Sequence, residues 1–313
     1  MKYKYYITDV FTDQPFDGAQ IAVFPNADGL DQTKMQLLAS ELNLSETAFV
    51  FSSTNGVGNG TGKRRIRIFT PHSEINFAGH PIIAVGHVLA SIGEVKLEQE
   101  YTPLKLEQNI GVIDVNITQK DGKPVLIQFA METKPVIDRF VPKEEQIADV
   151  LSLIEADIDN KKFNPLLVYS DQSYLIVPVK TYSAVRAAKF NFTAWSQSMA
   201  PACMASEILL FSTQTDVSES NFHARLLGPD IGIHEDPPIA SAMPAFSAYL
   251  CAHEHIKQGT HTFVIDRGSM DRRKSVLNIE MDNKLEETLT IRVGGPAIIS
   301  GEGKILIPDL GKQ

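Results

Sequence analysis

Two apolar stretches, residues 78–92 and 240–256, read as helices in a chain otherwise built of short β-forming runs. The first, from Ala78 to Ile92, contains no Asp, Glu, Lys or Arg. A helix without a polar face cannot lie on a surface and is enclosed on most sides. The runs around them have the period and composition of strands: Tyr5 to Val10, Ile21 to Phe24, Thr47 to Phe51, Arg65 to Phe69, and several more through about Met131. Further strands are expected over 166–179 and 206–212, and near 262–266, 276–281, 289–293 and 304–307. Two other helices are amphipathic. Residues 31–42 place Met35, Leu38, Ala39 and Leu42 on one face behind Asp31 as N-cap. Residues 143–154 place Ile147, Val150, Leu151 and Ile154 on one face. Many short strands and two dry helices predict an α+β protein in which curved sheets enclose helices.

A weak internal repeat points the same way. Arg67-Ile68-Phe69-Thr70-Pro71 recurs as Arg225-Leu226-Leu227-Gly228-Pro229, and Ile75 as Ile233, all at an offset of 158. Each copy is followed by one of the dry helices. The pattern predicts a duplicated unit of strand, loop and buried helix.

Several function classes are excluded at this level. With 29 Lys and Arg against 38 Asp and Glu, the net charge of −9 does not suit nucleic acid or an anionic membrane. No apolar run approaches the ~18 residues that span a bilayer, and the N-terminus lacks a signal-peptide core, so the expected location is the cytoplasm. The loop carrying Gly56, Gly58, Gly60 and Gly62 is followed by a strand, Arg65 to Phe69. A phosphate cradle requires a helix there, so the loop reads as a hairpin connection. Cys203 and Cys251 have no metal spacing. His253 and His255 fall two apart on the expected helix and face different ways, and His87 reads as a core residue. His72, His223, His234 and His261 show no ligand spacing. Neither a metal nor a nucleotide or flavin cofactor is expected.

Chemistry is expected at the starts of the dry helices, where free N–H groups and the positive dipole end favour an anion such as a carboxylate. The first is entered through Asn76-Phe77-Ala78-Gly79-His80-Pro81 and the second through residues 234–242. These segments, with Asp9 to Phe16 and Asn43-Leu44-Ser45-Glu46-Thr47-Ala48-Phe49-Val50, resemble the PhzF family in the family's order. That resemblance implies the diaminopimelate epimerase-like fold: two similar domains, each a curved sheet or barrel around a central helix, with the site between them. It implies a division into residues 1–118, joined by a tail of about 298–313, and residues 124–297.

By the same resemblance, Glu46 matches the family's acid/base glutamate, and His80 and Asp236 match substrate-orienting residues. Ser45, Gly79, Ala240 and Ser241 match positions that line the substrate; Ser241 also reads as an N-cap. Departures occur at Ala19, where the family has asparagine, and at Ile239 and Ala240, where it has threonine and glycine. The family's late glycine-arginine element survives only as Arg267-Gly268 and Arg272-Arg273-Lys274-Ser275. Neither helix entry carries a cysteine, so a two-thiol racemase is not expected. The expectation is a cofactor-independent isomerase acting on a small carboxylate-bearing metabolite, with a homodimer left open. The alternative on the same fold is a non-catalytic ligand-binding or protein-interaction module.

Overall fold

The computed structural model describes residues 2–52, 63–170, 172–199, 201, 205–229, 231, 236–269, 272–284 and 288–307. The glycine loop 56–62, Cys203, Ile233, His234 and Glu235 lie outside the described residues. The chain divides into two compact units, Met1–Met131 with Arg273–Ser275 and Val293–Gln313, and Glu132–Arg272 with Val276–Arg292.

In the first unit, β1 (Lys2–Val10) and β2 (Ala19–Phe24) pair antiparallel. Helix α1 (Gln32–Leu42) crosses to β3 (Glu46–Phe51), which runs parallel to β2. Strand β4 (Arg64–Phe69) returns antiparallel, and a short β5 (Glu74–Ile75) folds onto its end. Helix α2 (Gly79–Ser91) crosses to β6 (Tyr101–Gln108), parallel to β4, and β7 (Gly111–Lys120) and β8 (Lys123–Thr133) continue as an antiparallel meander.

The second unit repeats these steps. After β9 (Val136–Asp138) and α3 (Glu144–Leu151), β10 (Leu166–Tyr169) pairs antiparallel with both β9 and β11 (Ser173–Pro178). Helices α4 (Tyr182–Ala187) and α5 (Phe192–Gln197) cross to β12 (Glu207–Ser212), parallel to β11, and β13 (Phe222–Leu227) returns antiparallel. A 3₁₀ turn, Ala240–Ala242, and α6 (Met243–Cys251) cross to β14 (Gly259–Ser269), parallel to β13. Strands β15 (Arg272–Asn283) and β16 (Leu289–Gly295) follow, and β17 (Ala297–Leu306) returns to pair antiparallel with β1 in the first unit. Arg67 and Arg225 sit on equivalent strands, β4 and β13, so the repeat read from sequence is a repeat of topology.

The dry helices are central. Every residue of α2 from Gly79 to Ala90 is buried, and α2 touches β1, β2, β3, β7 and β17. Contact with five strands and no solvent face means that the sheet curves around it. Met243 to Leu250 of α6 are likewise all buried. The other sheet face in each unit carries the amphipathic helices. Met35, Leu38 and Ala39 of α1 pack on Phe24, Phe49 and Phe69, while α3, α4 and α5 cover β10 to β12. Strands covered on both faces become continuous apolar runs, as in β2 and β3.

Three expected elements differ. The helix over 143–154 stops at Leu151, because Ser152 turns left-handed (φ 56°), and Ile154 falls outside it, 66% exposed. The strand over 166–179 is a hairpin of two. The helix over 240–256 starts as α at Met243, with Pro244 in its first turn, and ends at Cys251. At that end the His253 ring takes the Tyr249 carbonyl through Nδ1 (2.8 Å), while its backbone N–H goes to Leu250 (3.1 Å). A continuing α-helix would give the Tyr249 carbonyl to that backbone N–H. His253 and His255 therefore do not face apart on a helix; both rings pack edge-on against Phe163.

Candidate active site

In the first unit, strand order brings five chain segments to one end of the sheet. β1 and β4 finish there, β2 and β3 begin there, and α2 starts beyond β4. Glu46 is the first residue of β3, beside Ile21 of β2. It is half-buried, with its Oε2 atom shielded from solvent. Ser45 is exposed, and its hydroxyl donates to the Gln20 carbonyl (3.3 Å), tying the start of β3 to β2.

His80 lies in the first turn of α2, 2% exposed, its ring edge-on to Phe11 at 5.0 Å. Gly79 is buried beside it, and the N-cap, Ala78, supplies no side-chain cap. The first-turn N–H groups at Gly79 and His80 thus form the positive end of an uncapped helix. The Ala78 N–H itself donates to the Gln108 side chain (3.4 Å).

Phe11, the ring against His80, has φ 62° and is fully buried. Its backbone N–H donates to the Pro296 carbonyl (2.8 Å). The loop that follows is braced by Arg273, which pairs with buried Asp9 and donates to the carbonyls of Gly18 (3.0 Å) and Asp17 (3.1 Å). Asp9 also accepts from the Phe16 N–H (2.8 Å). Ala19, one of the family departures, is simply a buried residue of β2 opposite Val10.

In the second unit, Asp236 is a buried member of an ion pair. Its Oδ2 accepts from Arg186 Nη1 at 2.6 Å, with side-chain exposures of 5% and 17%. Its backbone carbonyl accepts from Arg267. Its other oxygen, Oδ1, is buried and has no hydrogen-bond partner among the described residues. Ala240 is fully buried and Ser241 half-buried, both within the 3₁₀ turn that precedes α6. The N-cap reading of Ser241 does not hold. Ile239 precedes the 3₁₀ turn, Ala242 is the N-cap of α6, and neither position has a side-chain cap. Ile239 is fully buried.

Sequence reading missed the partners of Asp236, as well as a buried pair in the same unit, His223 Nδ1 to Asp266 Oδ2 at 2.5 Å. The parallel register of β13 and β14 places those two side by side. Among the described residues, no group of three or more His, Cys, Asp or Glu is placed to hold a metal ion. Among them, too, no helix is long and apolar enough to cross a membrane.

Comparison with known proteins follows the same lines. The chain is 30% identical over 307 residues to an uncharacterized isomerase of Mesorhizobium japonicum, covering 97% of this chain and 98% of that one. It is 26% identical over 308 residues to the trans-2,3-dihydro-3-hydroxyanthranilate isomerase of Pseudomonas fluorescens, covering 97% and 100%. Its fold is that of the Bacillus anthracis phenazine biosynthesis protein of the PhzF family, with TM-score 0.80 at 21% identity over 98% of this chain and 100% of that one. The PhzC-PhzF family, described as phenazine biosynthesis-like protein, matches residues 8–303. With nearly its whole length matched, the chain belongs to the PhzC-PhzF family and is an isomerase of the PhzF type.

Proposed function

We propose that this isomerase shifts a proton between carbons of a small, unsaturated, carboxylate-bearing ring, without a cofactor, and that Glu46 is its acid/base. The position of Glu46 carries the reading. It opens β3 at the same end of the sheet as the α2 start, half-buried, with its Oε2 atom shielded from solvent. A carboxylate there takes a proton from carbon, and the electron pair of the broken C–H bond moves into the adjoining unsaturated system. The resulting carboxylic acid then returns the proton at the other end of that system, so atoms and charge balance with no further reactant.

The N–H groups at Gly79 and His80 hold the substrate carboxylate and the charge that builds beside it. His80 and Asp236 orient the polar substituents, with Ser45, Ala240 and Ser241 lining the substrate. The dihydro-hydroxyanthranilate of the Pseudomonas relative has this chemistry, with a carboxylate, an amino group and a hydroxyl on one unsaturated ring. It is the substrate to try first.

The test is Glu46→Gln, which keeps shape and hydrogen bonding but cannot accept the proton. With trans-2,3-dihydro-3-hydroxyanthranilate in deuterated water, turnover and deuterium incorporation should fall ~100- to 10,000-fold. Affinity for a carboxylate analogue should persist. A Gln variant that exchanges protons at the wild-type rate would move the base elsewhere.

A further inference from the structure

Three stretches of the second unit meet around a cavity of about 270 Å³ at the C-terminal end of α6. Arg139 follows β9, Lys162 and Asn164 precede β10, and His253, Glu254 and His255 follow α6; all six line the cavity. The antiparallel register of β9 and β10 pairs Leu167 with Asp138, which sets Arg139 beside Leu166.

The wall of this cavity is fixed. Asn164 is held through both of its backbone groups: its carbonyl accepts from the Tyr249 hydroxyl (2.8 Å), and its N–H donates to His253 Nε2 (3.4 Å). Nδ1 of His253 donates to the Tyr249 carbonyl (2.8 Å), so this imidazole has both nitrogens engaged and is neutral. Phe163, 1% exposed, packs edge-on against His253 and His255, with ring centroids 5.1 Å and 4.9 Å away. The Lys162 ammonium lies over the same ring, 5.4 Å from its centroid. A buried aromatic anchor thus positions the lysine and both histidines.

The charges around the cavity are unbalanced. Among the described residues, Arg139 and Lys162 form no ion pair and His255 makes no hydrogen bond. Burial, and behind it the charges of His255 and Arg139, push the His253 imidazole below its ordinary 6.5; burial and then Lys162 do the same to His255. The cavity is therefore a positive spot on a chain of net charge −9. Two features oppose an anion there: exposed Glu254, and the carbonyl end of α6, where His253 takes up the Tyr249 carbonyl.

We propose that this cavity binds a phosphate dianion, free or as the monoester of a small metabolite, with Arg139, Lys162 and His255 as its donors. An unpaired guanidinium and an unpaired ammonium match two negative charges, and donors from three segments match a tetrahedral group whose oxygens point several ways. A planar monocarboxylate offers one charge and two oxygens. Pockets for drug-sized ligands run to about 300–1,000 Å³, so this cavity suits a smaller group than a nucleotide. The site lies in the second unit alone and uses no residue of the isomerase reading.

Calorimetry on the full chain at low salt and about pH 8, where phosphate is dianionic, tests it with inorganic phosphate, glycerol 3-phosphate and acetate. At least one phosphate should bind saturably with Kd of roughly 1 mM or below, and acetate about tenfold or more weakly. Arg139→Gln and Lys162→Gln should each weaken phosphate roughly 3- to 10-fold. Glu254→Gln should tighten it about two- to threefold. Lys123→Gln, on β8 of the first unit, controls for non-specific attraction and should change nothing. All four side chains are exposed, so the variants should fold; if circular dichroism shows that Arg139→Gln or Lys162→Gln does not, the other decides. Tighter binding of glycerol 3-phosphate assigns the site to a monoester, and equal or weaker binding assigns it to the free ion. The proposal is overturned if neither phosphate saturates by about 10 mM, if acetate binds as well, or if the Arg139 and Lys162 variants act no more strongly than Lys123→Gln.

Discussion

His87 lies in the interior of α2, where burial pushes its imidazole down to about 4 from an ordinary value of 6.5. The folded protein keeps this ring neutral, and the unfolded chain protonates it below about 6.5. Its contribution is therefore full above pH 6.5 and is lost as pH falls toward 4, because the unfolded state binds the extra proton. From the two values, the loss is roughly 2 kcal/mol at pH 5 and about 3 kcal/mol once pH passes below the folded value. Urea unfolding at pH 7 and pH 5 should show it, and His87→Leu should shrink the difference between the two pH values by about that amount. An unchanged pH dependence in His87→Leu would assign the acid sensitivity to other groups. At this scale the sequence placed Glu46 beside the start of a strand and His80 at the start of a helix, and both stand there. It was silent on Arg186, which lies 50 residues from Asp236 and in no motif.

Elements follow local rules where their ends are chemically marked. Asp31 caps α1, its Oδ1 accepting from the Lys34 N–H (2.9 Å), and Asn43 closes it in the left-handed region (φ 49°). Where the signal was periodicity alone, as over 143–154, the expected helix ran past its real end. The β1–β2 connection depends on one glycine. Gly18 has φ +70°, and a Cβ there would lie 2.3 Å from the Val10 carbonyl oxygen, a backbone atom that cannot yield. Its N–H also donates to the Lys274 carbonyl (2.8 Å) and its carbonyl accepts from Arg273. Gly18→Ala should cost roughly 3 kcal/mol or more, since left-handed strain and a backbone clash add. Denaturant unfolding measures this, and a loss below about 1 kcal/mol would mean that the connection relaxes freely.

At the scale of the whole chain, the last strand completes the first unit. β17 pairs with β1 from Lys2 to Val10 and touches α2, and Pro296 before it accepts the N–H groups of Phe11 and Thr12. A chain ending at Gly295 would leave β1 as a bare edge, uncover one side of α2 and release Phe11 from its anchor. Exposed edges and uncovered apolar helices aggregate. The truncated protein should be insoluble or lack a cooperative thermal transition, and hydrogen exchange should show β1 unprotected. A soluble truncation with a native-like melt would show that the unit closes without its final strand.

What the sequence determined by itself was the set of properties carried by side-chain chemistry along the chain. A helix with no charged residue from Ala78 to Ile92 has no face to give to water, so it had to be enclosed. A short motif repeated at an offset of 158, each copy followed by a dry helix, already pointed to a duplicated unit of strand, loop and buried helix. What tertiary structure alone decided was which residue meets which across elements. Arg273 reaches Asp9 across 264 positions, and His223 meets Asp266 through the register of two parallel strands. The Tyr249 carbonyl goes to the ring of His253, and α6 ends there. Periodicity states which face a residue occupies. The partner on that face follows from crossover and register, which are set by packing the whole unit at once.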